Sequence, residues 1–574
     1  MPCHARKPPR GSGNRWKTPG PQPGRCGAAS PLQGPSRVVP SDRAFALPMR
    51  DRVGPLRPGR RNVGEASRRP AAPGDETRAP DRSRRGFARE AALYGAGVVI
   101  ARAVSFAMLP IYTRFLSPGD YGALQILQMV TDVTAILLSG GLASGVLRFT
   151  LKARTPEDRH AVVSTAFVLL TGLHAIGAVG LVLAAPILAR SVLSQAGADG
   201  ALWIRVVAGS FVLEAVLAVP MLWLQATRRA GLHTTASLGR LVLQLALNVT
   251  LVVFFGFGVL GVLIGTLVAN GVVGGALTVL VWRETGLRPR RDAARDLRRY
   301  GLPYQVGMLG SFFLTFGDRF FLEHYRGLAA VGIYGLAYQF AFLLHGLGPL
   351  PYFRAWSPRR LALSTEPREI RDASYNQSLV ELSLVLVSLA VAIALFVRPV
   401  LTILSAPEFR PAAELVPILL VATIFQVYTD AVALGIEVSE KTRYASLAIW
   451  ISVGVILVLY ALLIPPLGGL GAALATVASM AVRFACTLAF SQRLWPVAWN
   501  FRPSARLLGI ATAAVALDAA IAAEGFAARL AIASVLLAAY LGAAWALVLD
   551  PALRTRLLAL ASSPGSVFGA PPRP

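Results

Sequence analysis

Residues 441–493 read KTRYASLAIWISVGVILVLYALLIPPLGGLGAALATVASMAVRFACTLAFSQR. Two apolar blocks, 444–465 and 468–492, flank a Pro/Gly turn, with Lys441 and Arg443 before them, Arg493 after them and Arg483 the only charge inside. Each block has the roughly 20 residues that a helix rising 1.5 Å per residue needs to cross about 30 Å of hydrocarbon. Backbone in lipid must satisfy its hydrogen bonds within its own helix. The segment therefore reads as two helices that cross a membrane and return, with the basic residues of both ends on one side.

The same pattern extends outward in both directions. Apolar blocks fall at about 91–113, 121–147, 160–188, 201–225, 232–255, 258–282, 300–323, 328–353, 375–402, 411–436, 505–523 and 528–549, which with the opening pair makes about fourteen spans. Alternate connections are basic. Lys152 to Arg159, Arg228 and Arg229, Arg283 to Arg299, Arg354 to Arg371, Lys441 and Arg443, and Arg493 to Arg506 hold 22 Lys/Arg. The other set holds six: Arg114, Arg190, Arg326, Arg398, Arg410 and Arg529. This alternation places the basic connections and both termini in the cytoplasm.

Composition agrees, since 54% of the 574 residues are hydrophobic and 15% charged, against about 25% charged in soluble domains. Of the formal net charge of +27, residues 1–90 carry +13, from 20 Lys/Arg against seven Asp/Glu. That Pro/Gly/Arg-rich stretch has no apolar periodicity and reads as a disordered basic tail over 1–88, or as a start assigned upstream of Met49. It lacks the apolar core of a signal peptide. Cys3, Cys26 and Cys486 form neither a disulfide framework nor a metal spacing.

Six helices are duplicated. Tyr121 and Gly122 recur as Tyr334 and Gly335, an offset of 213, and Gly258, Leu260, Gly261 and Thr266 recur as Gly468, Leu470, Gly471 and Thr476, an offset of 210. An even-numbered repeat keeps its orientation, so the halves are expected to be related by an axis along the membrane normal, with a site between them. The expected organisation is a basic tail 1–88, an N-lobe 89–284, a C-lobe 285–498, accessory helices 499–552 and a tail 553–574.

The segments FAMLPIYTRFLSPGDYGALQIL (106–127), GLASGVLRFTLK (141–152) and RRYGLPYQVGMLGSFFLTFGDRFFLEHYRGLAAVGIYGLAYQFA (298–341) resemble the polysaccharide transporters, the Wzx-type O-antigen and exopolysaccharide flippases of the multidrug/oligosaccharidyl-lipid/polysaccharide exporter superfamily. The likeness covers about residues 88–495. It implies an all-α polytopic fold of two pseudo-symmetric six-helix lobes, like the multidrug antiporters, with two C-terminal helices appended. It also implies flipping of a polyprenyl-diphosphate-linked oligosaccharide across the bacterial inner membrane for polysaccharide biosynthesis. Polymerase and glycosyltransferases of the same pathway are the implied partners, with no cofactor, metal or nucleic acid. The related lipid II flippases place an arginine in the first helix, which Arg102 matches, whereas Met108 and Asp132 depart from their further arginines.

A charge in mid-bilayer costs about 2.5–3.5 kcal/mol on insertion scales, so such residues face a cavity or a partner. Arg102, Arg148, Arg240 and Arg319 are the candidates for a phosphate headgroup, because guanidinium forks match phosphate oxygens. Arg102 and Arg240 have alternatives, an ion pair with Asp132 and snorkelling respectively. Asp132, Glu214, Asp318 and Asp430 are ion-pair or proton-coupling candidates, and Asp518 is a further buried carboxylate. Asp318 and Arg319 point about 100° apart on a helix and are expected to seek different partners. His174 and His345 stand without metal-ligand neighbours and read as packing residues.

A cation-coupled multidrug antiporter is the first alternative, and it calls for an acidic or apolar cavity. A membrane polymerase or glycosyltransferase needs large outer loops or carboxylates just outside the bilayer; the outer connections here reach only about a dozen residues, and no Walker-type GxxxxGK[ST] is present. The expectation is a transporter rather than an enzyme.

Overall fold

The computed structural model describes residues 108–549, apart from 198 and 522–524, together with 551 and 554–555. The basic tail, Cys3, Cys26, Arg102 and most of the expected first span lie outside the described residues, which all belong to one compact unit. No strand occurs among them. The helices are α1 (Leu109–Phe115), α2 (Pro118–Ser139), α3 (Leu142–Lys152), α4 (Pro156–Val192), α5 (Asp199–Ala226), α6 (Ala230–Asn248), α7 (Gly258–Thr285), α8 (Arg291–Phe316) and α9 (Asp318–Leu347). They continue as α10 (Pro349–Ala362), α11 (Arg368–Leu404), α12 (Ala412–Val432), α13 (Leu434–Val438), α14 (Arg443–Leu467), α15 (Gly469–Leu494), α16 (Arg502–Ala520) and α17 (Phe526–Leu547).

Eleven stretches among the described residues are long and apolar enough to cross a membrane, so the chain is a multi-pass membrane protein. One stretch, Arg291–Arg354, is 64 residues long and contains two of the expected spans. Gly327 divides it with φ 81°, where the expected spans leave a gap. The helix α16 matches the expected 505–523 block but is not among the eleven, so the count of fourteen remains an expectation.

Local chemistry sets the ends. Ser117 starts α2 through a capping box, its hydroxyl accepting from the Asp120 N–H at 3.1 Å while the Asp120 carboxylate accepts from the Ser117 N–H at 3.1 Å. Such a cap contributes about 1 kcal/mol. Thr155 caps α4 in the same sense, ahead of Pro156. The expected span 121–147 is not one helix. It breaks at Gly140–Gly141, where Gly141 takes φ 78° before α3 begins. The αL backbone there favours glycine, which has no Cβ to clash.

Helix α5 packs against α4 and α7, and α7 against α6; in the second half α15 packs against α12 and α14, and α12 against α9. Helices α16 and α17 pack on α11 and on each other. The largest apolar core runs through both halves, including Ile126, Phe211, Leu336, Leu386, Val416 and Ile456.

The halves meet where α2 crosses α9. A Cβ on Gly122 would overlap the Leu328 carbonyl oxygen, and one on Gly332 would overlap the Pro118 carbonyl oxygen. Pro118 and Leu328 are 210 residues apart, as are Gly122 and Gly332, so each half presents the same ridge to the other. This corrects the first repeat register, because Gly122 is matched by Gly332 and not by Gly335. The second block keeps its offset of 210, with Gly258 and Gly468 both at helix starts with positive φ, 51° and 58°. Small residues let membrane helices approach closely, and repeated glycines three residues apart made the neighbouring register look equivalent.

At its other end α2 is held by α8. The Gln305 amide donates to the carbonyls of Ile136 and Leu137, both at 2.8 Å, and a Cβ on Gly141 would strike the Gly301 carbonyl.

Candidate functional site

Between these crossings the first half encloses a cavity of about 620 Å³, walled by α2, α5, α6 and α7 with Gln339 from α9. An adjoining space of about 470 Å³ shares Tyr112, Tyr121, Gln128, Arg240, Gln244 and Gln339 with it. Polar residues one helical turn apart face inward on each wall: Gln125 and Gln128 on α2, Ser210 and Glu214 on α5, Arg240 and Gln244 on α6, and Thr266 and Asn270 on α7. On a helix, residues three and four apart share a face. Placing so many polar groups on the inner faces of apolar helices costs desolvation unless they bond one another or a ligand.

Part of the set does bond internally. Arg240 donates from Nη1 to Gln244 Oε1 and Asn270 Oδ1, each at 3.2 Å, and Gln244 donates to the Thr266 hydroxyl at 2.9 Å. Asn248, one further turn along α6, donates to the Tyr112 hydroxyl at 2.7 Å. The Ser210 hydroxyl and the Asn248 side-chain oxygen are buried without a partner among the described residues. Glu214 interacts with Arg240 and Asp132 only through space. It joins none of the ion pairs found among the described residues.

A second cavity, about 780 Å³, lies on another side of α2, against α8 and α14. Its walls are largely apolar, with Ile136, Met308, Phe312, Phe316 and Ile449, and Asp132 at the α2 wall. The Asp132 carboxylate accepts from Gln128 at 2.9 Å, so one side-chain pair on α2 joins the polar cavity to the apolar one.

The remaining residues singled out from the sequence fall elsewhere. Asp318 and Arg319 pair with each other at 2.9 Å, both fully buried, which corrects the expectation that they turn to different partners. The 100° separation describes where side chains leave the helix. A guanidinium is long enough to curl back, and Arg319 also donates to the Thr315 carbonyl at 3.1 Å. Tyr334 donates to the other Asp318 oxygen at 2.7 Å, and the Arg319 guanidinium sits 4.5 Å from the Tyr338 ring centroid. Arg319 is thus enclosed and has no face on the polar cavity. Arg148 is exposed on α3 and lies over the Tyr300 ring at 5.1 Å.

Asp430 and Arg483 interact through space without an ion pair, while Arg360 donates to the Asp430 carbonyl at 3.0 Å and pairs with Glu437. Asp518 faces Arg398 and Arg529 where α16 and α17 meet α11. His174 lies 3.3 Å from the Ser139 hydroxyl and edge-on to Phe211, as a packing residue does. No cluster of three metal-ligating side chains occurs among the described residues.

The profile of the family described as "Polysaccharide biosynthesis protein" matches residues 111–414, more than half of the chain. The chain belongs to that family. It is similar in fold to a lipid II flippase MurJ in an inward closed conformation, with TM-score 0.63 and 11% identity over 78% of this chain and 97% of that one. An inward-facing multidrug resistance MATE family transporter of the MOP superfamily follows with TM-score 0.56 and 16% identity, over 68% and 94%. A MATE in complex with MaL6 gives 0.51 and 17%, over 70% and 94%. No curated protein sequence matches the chain. The fold is thus one shared with solved structures of a flippase and of MATE transporters.

Charge-based reading reached Arg240 and Glu214 but missed Gln125, Gln128, Gln244, Asn270 and Gln339. For Gln244 the signal was periodic rather than ionic: Arg240, Gln244 and Asn248 recur every four residues in the otherwise apolar second half of α6.

Proposed function

We propose that this protein flips a polyprenyl-diphosphate-linked oligosaccharide from the cytoplasmic to the outer leaflet of the bacterial inner membrane, supplying O-antigen, capsule or exopolysaccharide synthesis. The observation that carries the reading is the pairing of a polar cavity with an apolar one on either side of α2. An amphipathic cargo needs both: hydrogen-bonding walls for its glycan and headgroup, and a lipid-like path for its isoprenoid chain. Membership of a polysaccharide biosynthesis family supports the choice of cargo.

In this reading residues 89–284 and 285–498 are lobes that rock about their crossings, 499–552 are accessory helices, and 1–88 and 553–574 are tails on the cytoplasmic side with the basic connections. Arg240 is the cavity cation, joined by Arg102 on the strength of its place in the first span. Arg148 stands at the basic end, where a headgroup enters. Arg319 is left to its pair with Asp318. A diphosphate diester carries about two negative charges, and a 100 mV potential, negative inside, favours their outward passage by up to about 4.6 kcal/mol.

The test is reconstitution into vesicles carrying a labelled polyprenyl diphosphate glycan, with leaflet exposure read by a membrane-impermeant quencher. Protein-dependent exchange that is lost in Arg240→Ala supports the reading; exchange no faster than in empty vesicles overturns it. One observation favours a second reading, a cation-coupled drug antiporter: the Glu214 carboxylate in the same cavity. Uptake of a lipophilic cation, abolished by Glu214→Gln, with no lipid exchange, would establish it instead.

A further inference from the structure

We infer that the polar cavity of the first half is a saccharide-hydroxyl site, selective for an uncharged or amino-bearing sugar, with Glu214 excluding acidic sugars. The inference rests on the flippase reading and adds which part of the cargo sits there and what its chemistry must be.

Its basis is the kind of polarity present. Among the described residues lining the cavity the formal charges are one arginine and one glutamate, which cancel. Such a wall offers a diphosphate Arg240 and leaves most of its polar groups to another part of the cargo. What it offers in quantity is carboxamide: Gln125, Gln128, Gln244, Asn270 and Gln339. Each carboxamide is donor and acceptor at once, as is a sugar hydroxyl, so the two satisfy each other without moving a charge out of water. Tyr112 and Tyr121 add aromatic surface with a polar tip, suited to the apolar face and hydroxyl edge of a pyranose.

Glu214 supplies selectivity. Its neighbour Arg240 is already committed to Gln244 and Asn270, and Glu214 stands open to the cavity without an ion pair. A carboxylate with two free oxygens accepts hydrogen bonds from adjacent hydroxyls or from an ammonium. A uronate brought against it meets a like charge, and like-charge juxtaposition in a desolvated site is strongly unfavourable.

The experiment uses the full chain in vesicles with two polyprenyl diphosphate disaccharides that differ only in a hexose or the corresponding hexuronate. The expected result is wild-type exchange of the hexose form about tenfold or more faster than the uronate form, with the ratio falling to about two or less in Glu214→Gln because uronate exchange rises. Glu214→Ala should narrow the ratio in the same direction, which guards against a fault peculiar to the glutamine. Equal wild-type rates, or a ratio unchanged in both variants, overturns the sugar-site assignment while leaving the flippase reading standing. Exchange of neither lipid by the wild type overturns the flippase reading, and the inference falls with it.

Discussion

The two halves share a fold repeat but treat their interiors in opposite ways. In the first half the inner faces of α2 and α7 carry Gln125, Gln128 and Asn270 around open space. At the offset of 210 that the α2–α9 crossing defines, the second half has Gly335, Tyr338 and Met480. There the polar cluster is enclosed: Arg319, Tyr334 and Tyr460 are fully buried, with Asp318 holding Arg319 and Tyr334. A polar group was thus made useful in one half by leaving it room and in the other by enclosing it completely. The first half leaves its inner polar groups facing open space, whereas the second encloses them and keeps its open space, against α8 and α14, largely apolar.

The sharpest way to break this contrast is Arg319→Ala. Removing one partner of a buried ion pair strands the other charge and costs about 3–5 kcal/mol, so the purified protein should show a large fall in Tm. Restoring an apolar fill with Asp318→Leu and Arg319→Met together should recover most of it. Stability unchanged in the single variant would show the filled half to be no more committed than the open one.

Next in size is grafting the filled half onto the open one. The double change Gln128→Tyr and Asn270→Met should slow lipid exchange by about 10- to 100-fold, the equivalent of losing a charge-assisted hydrogen bond worth about 1.5–3 kcal/mol. It should change Tm only modestly, since packing of the cavity offsets the loss of the bonds to Arg240 and Asp132. A large loss of Tm with normal exchange would invert the assignment of the halves.

Gly122→Ala puts a methyl into the Leu328 carbonyl, and overpacking of this kind costs about 1–3 kcal/mol. Gly332→Ala should cost a similar amount, because the contact is reciprocal; unequal losses in a thermal melt would mean that the crossing is not symmetric. Gly275→Ala is the small effect that calibrates the others. A Cβ there meets nothing within 4 Å, so Tm should hold or rise by the equivalent of up to about 1 kcal/mol of helix propensity.

Much of the fold was legible because lipid imposes a coarse rule. Twenty apolar residues between basic connections is a pattern that one chain reveals without help, and the boundary at Gly327 fell where the hydropathy dipped. The break at Gly140–Gly141 was not legible, since both sides of it are apolar and only the approach of Gly301 and Gln305 from α8 demands it. In the site, charge led to Arg240 and Glu214 but also to Arg319, whose enclosure depends on tyrosines contributed from α9 and on the packing of α14. Carboxamides escaped because they carry no charge and cost little hydropathy. The overlooked clues were the spacing of three between Gln125 and Gln128 and of four through Arg240, Gln244 and Asn248.

The α2–α9 crossing has one more consequence. Where Gly122 and Gly332 meet, the nearest atoms on both sides are backbone, and each half offers the same surface to the other. Ordinary helix pairs are geared, so that turning one drags its knobs out of the partner's holes. At this one point the separation of the two helices is set by the peptide groups themselves, so the tolerance to change is one-sided: any gain of bulk on either face forces the helices apart, and no change on the opposite face, already reduced to hydrogen, can make room.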